Sequence, residues 1–250
     1  MTRGYYDYKV NPSGIGQFTL DGAEIAARLH SVSTFDRKGN VIYATDFSNG
    51  YGDWQRDPVA GQAPDLYYGF GYYTPVSLRL RPALSGGINN GLYRIFPIFS
   101  STIYGIETLV DIYCDASGHM SRYEVHVNAK CSAGRGLYKI ALDGTQQLIY
   151  LWGHTTGSDA WIPVMTFPYA YSVYQSMPTH LYLKFTLNMA SGMYSYLTVN
   201  DDEEDISIYH PQTLDPYYSP AFQVFLSVCP NGWNDPIYIA SCVVTINEPK

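Results

Sequence analysis

The sequence predicts an all-β protein built as a two-sheet antiparallel sandwich, and three observations carry that prediction. The stretch 181–205, LYLKFTLNMASGMYSYLTVNDDEED, alternates in hydrophobicity with a period of two and is interrupted by turn residues. About a dozen short runs of this kind follow one another at near-regular spacing, with Gly, Pro, Asn and Asp between them. Helical character is confined to 21–29, so strands must supply the core.

In chain order, residues 1–18 combine Gly4, Pro12, Gly14 and Gly16 with Tyr5, Tyr6 and Tyr8, which predicts an extended arm. Asp21 suits a helix N-cap with Glu24 three residues on, and Ala23, Ile25, Ala26, Ala27 and Leu29 continue a short helix. Strands over 33–35 and 41–45 flank the polar turn Asp36-Arg37-Lys38-Gly39-Asn40. Strands are then predicted over 77–81, 91–99, 106–114, 121–131, 137–141, 147–152, 162–166, 181–187, 195–199, 204–209, 221–228 and 237–246. In 181–187, Leu181, Leu183, Phe185 and Leu187 share one face and Tyr182, Lys184 and Thr186 the other, as in a half-buried strand. Phe222, Val224, Leu226 and Val228 alternate inward, while 237–246 is apolar on both faces and reads as a central strand. The chain divides into an arm, helix and lead-in hairpin over 1–41 and one sandwich over 42–250.

Composition limits function. Tyrosine accounts for 25 of 250 residues, and charged residues for 15% against roughly 25% in an ordinary soluble domain. Aromatic enrichment with charge depletion is the composition of a contact surface, although strands favour aromatics anyway. The arm residues Tyr5, Tyr6 and Tyr8, with Tyr67, Tyr68, Phe70, Tyr72 and Tyr73 in the first long loop, are the candidate protein-binding residues. A net charge of −7 without a basic run argues against nucleic acid. No segment approaches the length of an apolar membrane span, and the opening residues lack a secretory signal pattern, so synthesis in the cytoplasm without processing is expected.

Cys114, Cys131, Cys229 and Cys242 form no CxxC and have no histidine at metal-ligand spacing, so no zinc site and no other metal is predicted. Placed on adjacent hairpin strands, the members of each pair fall out of register, so all four read as reduced thiols in or near strands.

Several segments carry a family resemblance. Asp46-Phe47-Ser48-Asn49-Gly50 with Trp54, then Ser77-Leu78-Arg79-Leu80, Ser121-Arg122-Tyr123-Glu124-Val125, the meander 181–205 and a last strand ending Val243-Val244-Thr245-Ile246 resemble the concanavalin A-like lectin/glucanase jelly roll, the laminin-G-like sandwich, over 42–250. Upstream, Ala23-Glu24-Ile25-Ala26-Ala27-Arg28-Leu29 and Thr34-Phe35-Asp36-Arg37-Lys38-Gly39-Asn40-Val41 are similar to the lead-in of such domains in structural proteins of bacterial and archaeal viruses. The resemblance implies a non-enzymatic virion protein, made in the host cytoplasm and decorating a capsid. Its partners would be the major capsid protein or its own copies, in a homo-oligomer such as a trimer.

Candidate chemistry is sparse. Glycosidases on this fold carry two glutamates around an aspartate on one strand, because two carboxylates must flank the scissile bond. Here Glu107 and Asp111 share a strand face with Leu109 between them and no second glutamate, which reads as solvent-facing carboxylates on an outer sheet. The run Asp201, Asp202, Glu203, Glu204, Asp205 lacks calcium-loop spacing and reads as a solvated turn. Trp54 and Trp152 are expected to pack the sandwich. Trp161, Tyr169, Tyr171 and Trp233 are the alternative, a carbohydrate site for host-surface attachment, with His154, Asp159, Asn231, Asn234 and Asp235 as polar partners. The six histidines are scattered, and no nucleophile elbow, Walker loop or dinucleotide fingerprint occurs, so neither an enzyme nor a cofactor is predicted.

Overall fold

A computed structural model describes residues 39–47, 49–56, 63–68, 76–82, 90–96, 102–112, 122–131, 134–155, 158–166, 179–200, 202–213, 222–229 and 236–248. The predicted arm, the helix at 21–29 and the strand at 33–35 lie outside the described residues. Sixteen strands run through the described residues: β1 (Asn40–Thr45), β2 (Gln55–Arg56), β3 (Asp65–Tyr68), β4 (Val76–Leu80), β5 (Asn90–Phe96), β6 (Ile103–Ile112), β7 (Arg122–Cys131) and β8 (Gly134–Asp143), then β9 (Leu148–Thr155), β10 (Ser158–Thr166), β11 (Thr179–Asn188), β12 (Met193–Val199), β13 (Asp202–Asp205), β14 (Gln212–Thr213), β15 (Phe222–Cys229) and β16 (Ile237–Ile246).

They form two antiparallel sheets. The first has the order β13-β12-β11-β6-β16-β4-β3, with β1 beside β16. The second has the order β10-β9-β8-β7-β15-β5-β2, with β14 on β8. Alternation decides which side chains meet between them: Leu181, Leu183, Phe185 and Leu187 from the first sheet face Tyr123, Val125, Val127, Phe222, Val224 and Leu226 from the second, all nearly or fully buried. Tyr104 stacks on Phe222 across this interface at 4.1 Å.

The opening signature is a packing device. Phe47 and Trp54 are both buried, their rings 6.3 Å apart, and the Trp54 Nε1–H donates to the Tyr43 hydroxyl at 2.8 Å. Gly50 sits at φ +95 in the turn between them, a conformation that favours glycine. The meander is β11, β12 and β13, and Asn200 at φ +53 makes the second turn while its side chain accepts from Tyr182 N–H.

Several expectations need correction. Strand β1 pairs with β16, and its predicted hairpin partner at 33–35 lies outside the described residues. Strands β6 and β16 lie in the first sheet and β7 and β15 in the second, so the cysteine-bearing neighbours in sequence cross between sheets instead of forming hairpins. Cys131, Cys229 and Cys242 are joined by no disulfide to one another all the same. The last strand of the meander is Asp202–Asp205, an exposed acidic edge strand and not a turn tip, and Ile206 after it is buried. The outer face of the first sheet is also covered: Leu109, Tyr182, Ala240 and Val243 form a second apolar cluster there. Glu107 and Asp111, expected to face solvent, are 1% and 0% exposed on that face, and the Lys184 ammonium lies 3.5 Å from Glu107 and 3.0 Å from Glu248. Burial of a strand on both faces demands that its charged side chains be paired.

Candidate functional site

The outer face of the second sheet gathers charged and aromatic side chains, and its origin is the run Arg122-Tyr123-Glu124-Val125-His126 on β7. Tyr123 and Val125 point into the core, so Arg122, Glu124 and His126 stand in line on the opposite face. Cross-strand register then extends the line into rows. One row crosses the whole sheet: Trp161 on β10 opposite Trp152 on β9, Lys139 on β8, His126, Phe225 on β15, Tyr93 on β5 and Gln55 on β2. The adjacent row holds Tyr150, Ala141, Glu124 and Ser227.

Contacts knit these rows together. The Arg122 Nε–H donates to Glu124 Oε1 at 2.7 Å, and Glu124 Oε2 meets His126 Nε2 at 2.5 Å. The Arg122 guanidinium lies over the Trp161 ring at 4.7 Å, and the Lys139 ammonium lies 5.5 Å from the Trp152 ring centre. The two indoles meet edge to face at 5.0 Å, and the Trp152 Nε1–H donates to Gln212 at 2.9 Å. At the other end Phe225 packs on Tyr93, whose hydroxyl donates to Gln55. Glu124 is 1% exposed, whereas Arg122, Lys139, Trp152 and Trp161 are half-buried and reach the surface.

Charge states follow from these neighbours. Burial opposes ionisation of Glu124, but the hydrogen bond from His126 and the surrounding positive charge of Arg122 and Lys139 hold its carboxyl below the usual range. Burial pushes the His126 imidazole below its usual range, with Glu124 offsetting part of the effect, so at pH 7 the ring is neutral and donates its Nε2–H to the carboxylate. Lys139 is also lowered, first by burial, and Glu124 offsets part of that.

The neighbouring Ser227 hydroxyl donates to the Glu124 backbone carbonyl at 3.3 Å and lies 3.5 Å from His126 Nε2. Serine and glutamate therefore meet the same imidazole nitrogen. A hydrolytic triad uses the two ring nitrogens separately, one for the nucleophile and one for the carboxylate. The cross-strand neighbours of Glu124 are Ala141 and Ser227, neither of which supplies the second carboxylate of a glycosidase pair.

Of the carbohydrate-site residues predicted from sequence, Trp161 stands in the row, while Tyr169, Tyr171 and Trp233 lie outside the described residues. His154 and Asp159 pair at 3.1 Å one step along β9 and β10, whereas Asn231, Asn234 and Asp235 lie outside the described residues. Trp152, expected in the core, is instead on the outer face, because Ile149 and Leu151 take the inward positions of β9. Among the protein-contact residues, Tyr5, Tyr6, Tyr8, Phe70, Tyr72 and Tyr73 lie outside the described residues. Tyr67 packs on Tyr238 at 5.2 Å under the Arg79 guanidinium, and Tyr68 is 69% exposed. Glu124, His126, Lys139 and Phe225 were missed. For Glu124 and His126 the signal was the period-two Arg-x-Glu-x-His pattern on a strand whose intervening residues are apolar, whereas Lys139 and Phe225 join only through cross-strand register. A cavity of about 430 Å³ opens beyond Gln212, lined by Gly136, His154, Gly192, His210 and Thr213 among others.

This architecture is the concanavalin A-like jelly roll. Three solved structures illustrate the likeness. The carbohydrate esterase vb_24B_21 from Shiga toxin-encoding bacteriophage phi24B superposes with a TM-score of 0.57 at 12% identity, over 84% of this chain and 100% of the other. The endo-1,3-β-glucanase from Streptomyces sioyaensis gives 0.51 at 12% identity over 85% and 98%. The lectin UEA-II, complexed with galactose, gives 0.51 at 10% identity over 83% and 100%. At such identities the likeness is one of fold. No protein-family model matches the sequence, and no curated protein sequence matches it.

Proposed function

We propose that this chain is a non-catalytic glycan-binding protein whose site is the Trp161-Trp152-Lys139-His126 end of the outer row. One observation carries the reading: two surface-reaching indoles stand 5.0 Å apart beside convergent charged groups that are themselves fixed by hydrogen bonds. Indole rings offer apolar faces for a pyranose, while Arg122, Lys139 and Glu124 can meet its hydroxyls. The lectin, glucanase and esterase with this fold are described as complexed with galactose, as a glucanase and as a carbohydrate esterase, which supports a sugar ligand. The shared use of His126 Nε2 by Ser227 and Glu124 supports binding without hydrolysis.

A glycan array followed by titration tests this. Trp161→Ala should weaken binding by about 2 kcal/mol, the loss typical of an indole anchor, or roughly 30-fold in Kd. An acetylated sugar and a β-1,3-glucan should be recovered intact after incubation. Absence of saturable binding, an unaffected Trp161→Ala variant or released product would each overturn the reading.

A separate observation favours a second role, decoration of a virus capsid through contacts with the major capsid protein or with copies of this chain. Tyr68 ends β3, the edge strand of the first sheet, and is 69% exposed. An exposed aromatic at the end of the terminal strand among the described residues suits attachment by added backbone pairing. Quantitative mass spectrometry of gradient-purified particles should find a fixed, high ratio to the shell subunit; absence from particles would discard this role.

A further inference from the structure

Resting on the glycan-binding reading, we infer that this site selects sugars that carry a carboxylate, and that Lys139 and Arg122 are its specificity-determining residues. Arg122 and Lys139 are positive, Glu124 is the carboxylate bonded to Arg122 and His126 among the described residues, and His126 is neutral at pH 7. Asp143, a further carboxylate, stands two positions beyond Ala141 along the same face of β8, beside Tyr150, so the unspent positive charge is at the Lys139 end of the group.

Neither cation is fully used. Arg122 spends Nε and Nη2 on Glu124, with Nη2 also 3.8 Å from Cys229 Sγ. Among the described residues its Nη1 has no hydrogen-bond partner, and the Lys139 ammonium has no carboxylate within ion-pair distance. Both groups lie against the indole pair, one over each ring, so a sugar stacked on that pair brings any carboxylate close to both. Half-burial strengthens the attraction, because charge is poorly screened there. Burial also disfavours the ammonium form of Lys139 in the free protein, a penalty that a bound anion relieves. A neutral sugar leaves that penalty in place.

The test compares matched pairs by isothermal titration at low salt: 3′-sialyllactose against lactose, and a galacturonic acid trimer against a galactose trimer. The acidic member of at least one pair should bind about tenfold or more tighter, as a charge-assisted hydrogen bond provides. The preference should shrink as salt shortens the screening length. Lys139→Gln should abolish the preference by weakening the acidic sugar about tenfold more than its neutral counterpart, and Lys139→Arg, which keeps the charge, should restore much of it. Equal affinities within each pair, or a preference that survives Lys139→Gln, would overturn the inference while leaving the glycan-binding reading intact. Failure of every sugar to bind would overturn both.

Discussion

Replacing Tyr194 with phenylalanine is expected to cost about 2–3 kcal/mol of folding stability, although it removes a single oxygen atom. Tyr194 belongs to β12 in the first sheet, is 1% exposed, and spans the core to the second. There its hydroxyl accepts from the Lys139 N–H at 2.8 Å and donates to the Trp152 carbonyl at 2.8 Å. These are the backbone groups of the register pair that carries the Lys139 and Trp152 side chains on the opposite face. Loss of the hydroxyl leaves a buried donor and a buried acceptor without it, and each unmade bond costs more than a made bond contributes. Tyr194→Ala adds a cavity beside Tyr138, whose ring meets Tyr194 edge to face at 5.1 Å, and should cost about 4–5 kcal/mol. Urea unfolding measures both. Tyr194→Phe should also weaken sugar binding, because the residue positions Lys139 and Trp152 from beneath. A phenylalanine variant within about 0.5 kcal/mol of the parent would show that other groups satisfy the pair.

That tie was not legible in the sequence, and the reason is geometric. Tyr194, Tyr138 and Tyr123 read as ordinary strand aromatics, and nothing in a linear pattern tells which tyrosine hydroxyl reaches across a core about 10 Å thick. The strands themselves were legible. Leu181, Leu183, Phe185 and Leu187 declare a face by period two, as do Phe222, Val224, Leu226 and Val228, and both sets are buried between the sheets. Sheet membership was not. Strands β6 and β7 are sequence neighbours that belong to different sheets, and alternation carries no record of partner. The same limit hid the site. In Leu148-Ile149-Tyr150-Leu151-Trp152 both faces are apolar, so periodicity could not place Trp152 outside. Arg122, Glu124 and His126 share a face by spacing alone, but spacing cannot distinguish a solvated row of charges from a buried, mutually bonded one. Only cross-strand register adds Lys139, Phe225 and Ser227 and turns three residues into a surface. Trp161 could be singled out as an indole, but its place opposite Trp152 also comes only from register.

The acid side of the stability profile should depend on Glu124 and His126. Both groups have folded-state pKa values below their ordinary values of 4.5 and 6.5. In each case the unfolded chain binds more protons over the window between the two values, so stability falls as pH falls. For His126 the loss begins below about pH 6.5, where the imidazole is protonated in the unfolded chain and still neutral in the folded one. For Glu124 it begins below about pH 4.5 and continues until the folded carboxyl is itself protonated. His126→Gln should therefore flatten the profile between pH 7 and 5 while leaving the steeper decline at lower pH. Glu124→Ala should act differently. At pH 7 it removes the carboxylate that bonds Arg122 and His126 and should cost about 3 kcal/mol, the low end for breaking a buried pair, since Arg122 keeps 24% exposure and can turn toward water. It should also make the loss between pH 7 and 5 persist to lower pH, because without the carboxylate the imidazole resists protonation more strongly. Urea melts of the three proteins at pH 8, 6.5, 5 and 4 separate these effects. Superimposable pH profiles for the parent and His126→Gln would mean that the imidazole titrates alike in the folded and unfolded chain. Burial and the Glu124 hydrogen bond would then offset each other, and an imidazole with its ordinary value would still be mostly neutral at pH 7.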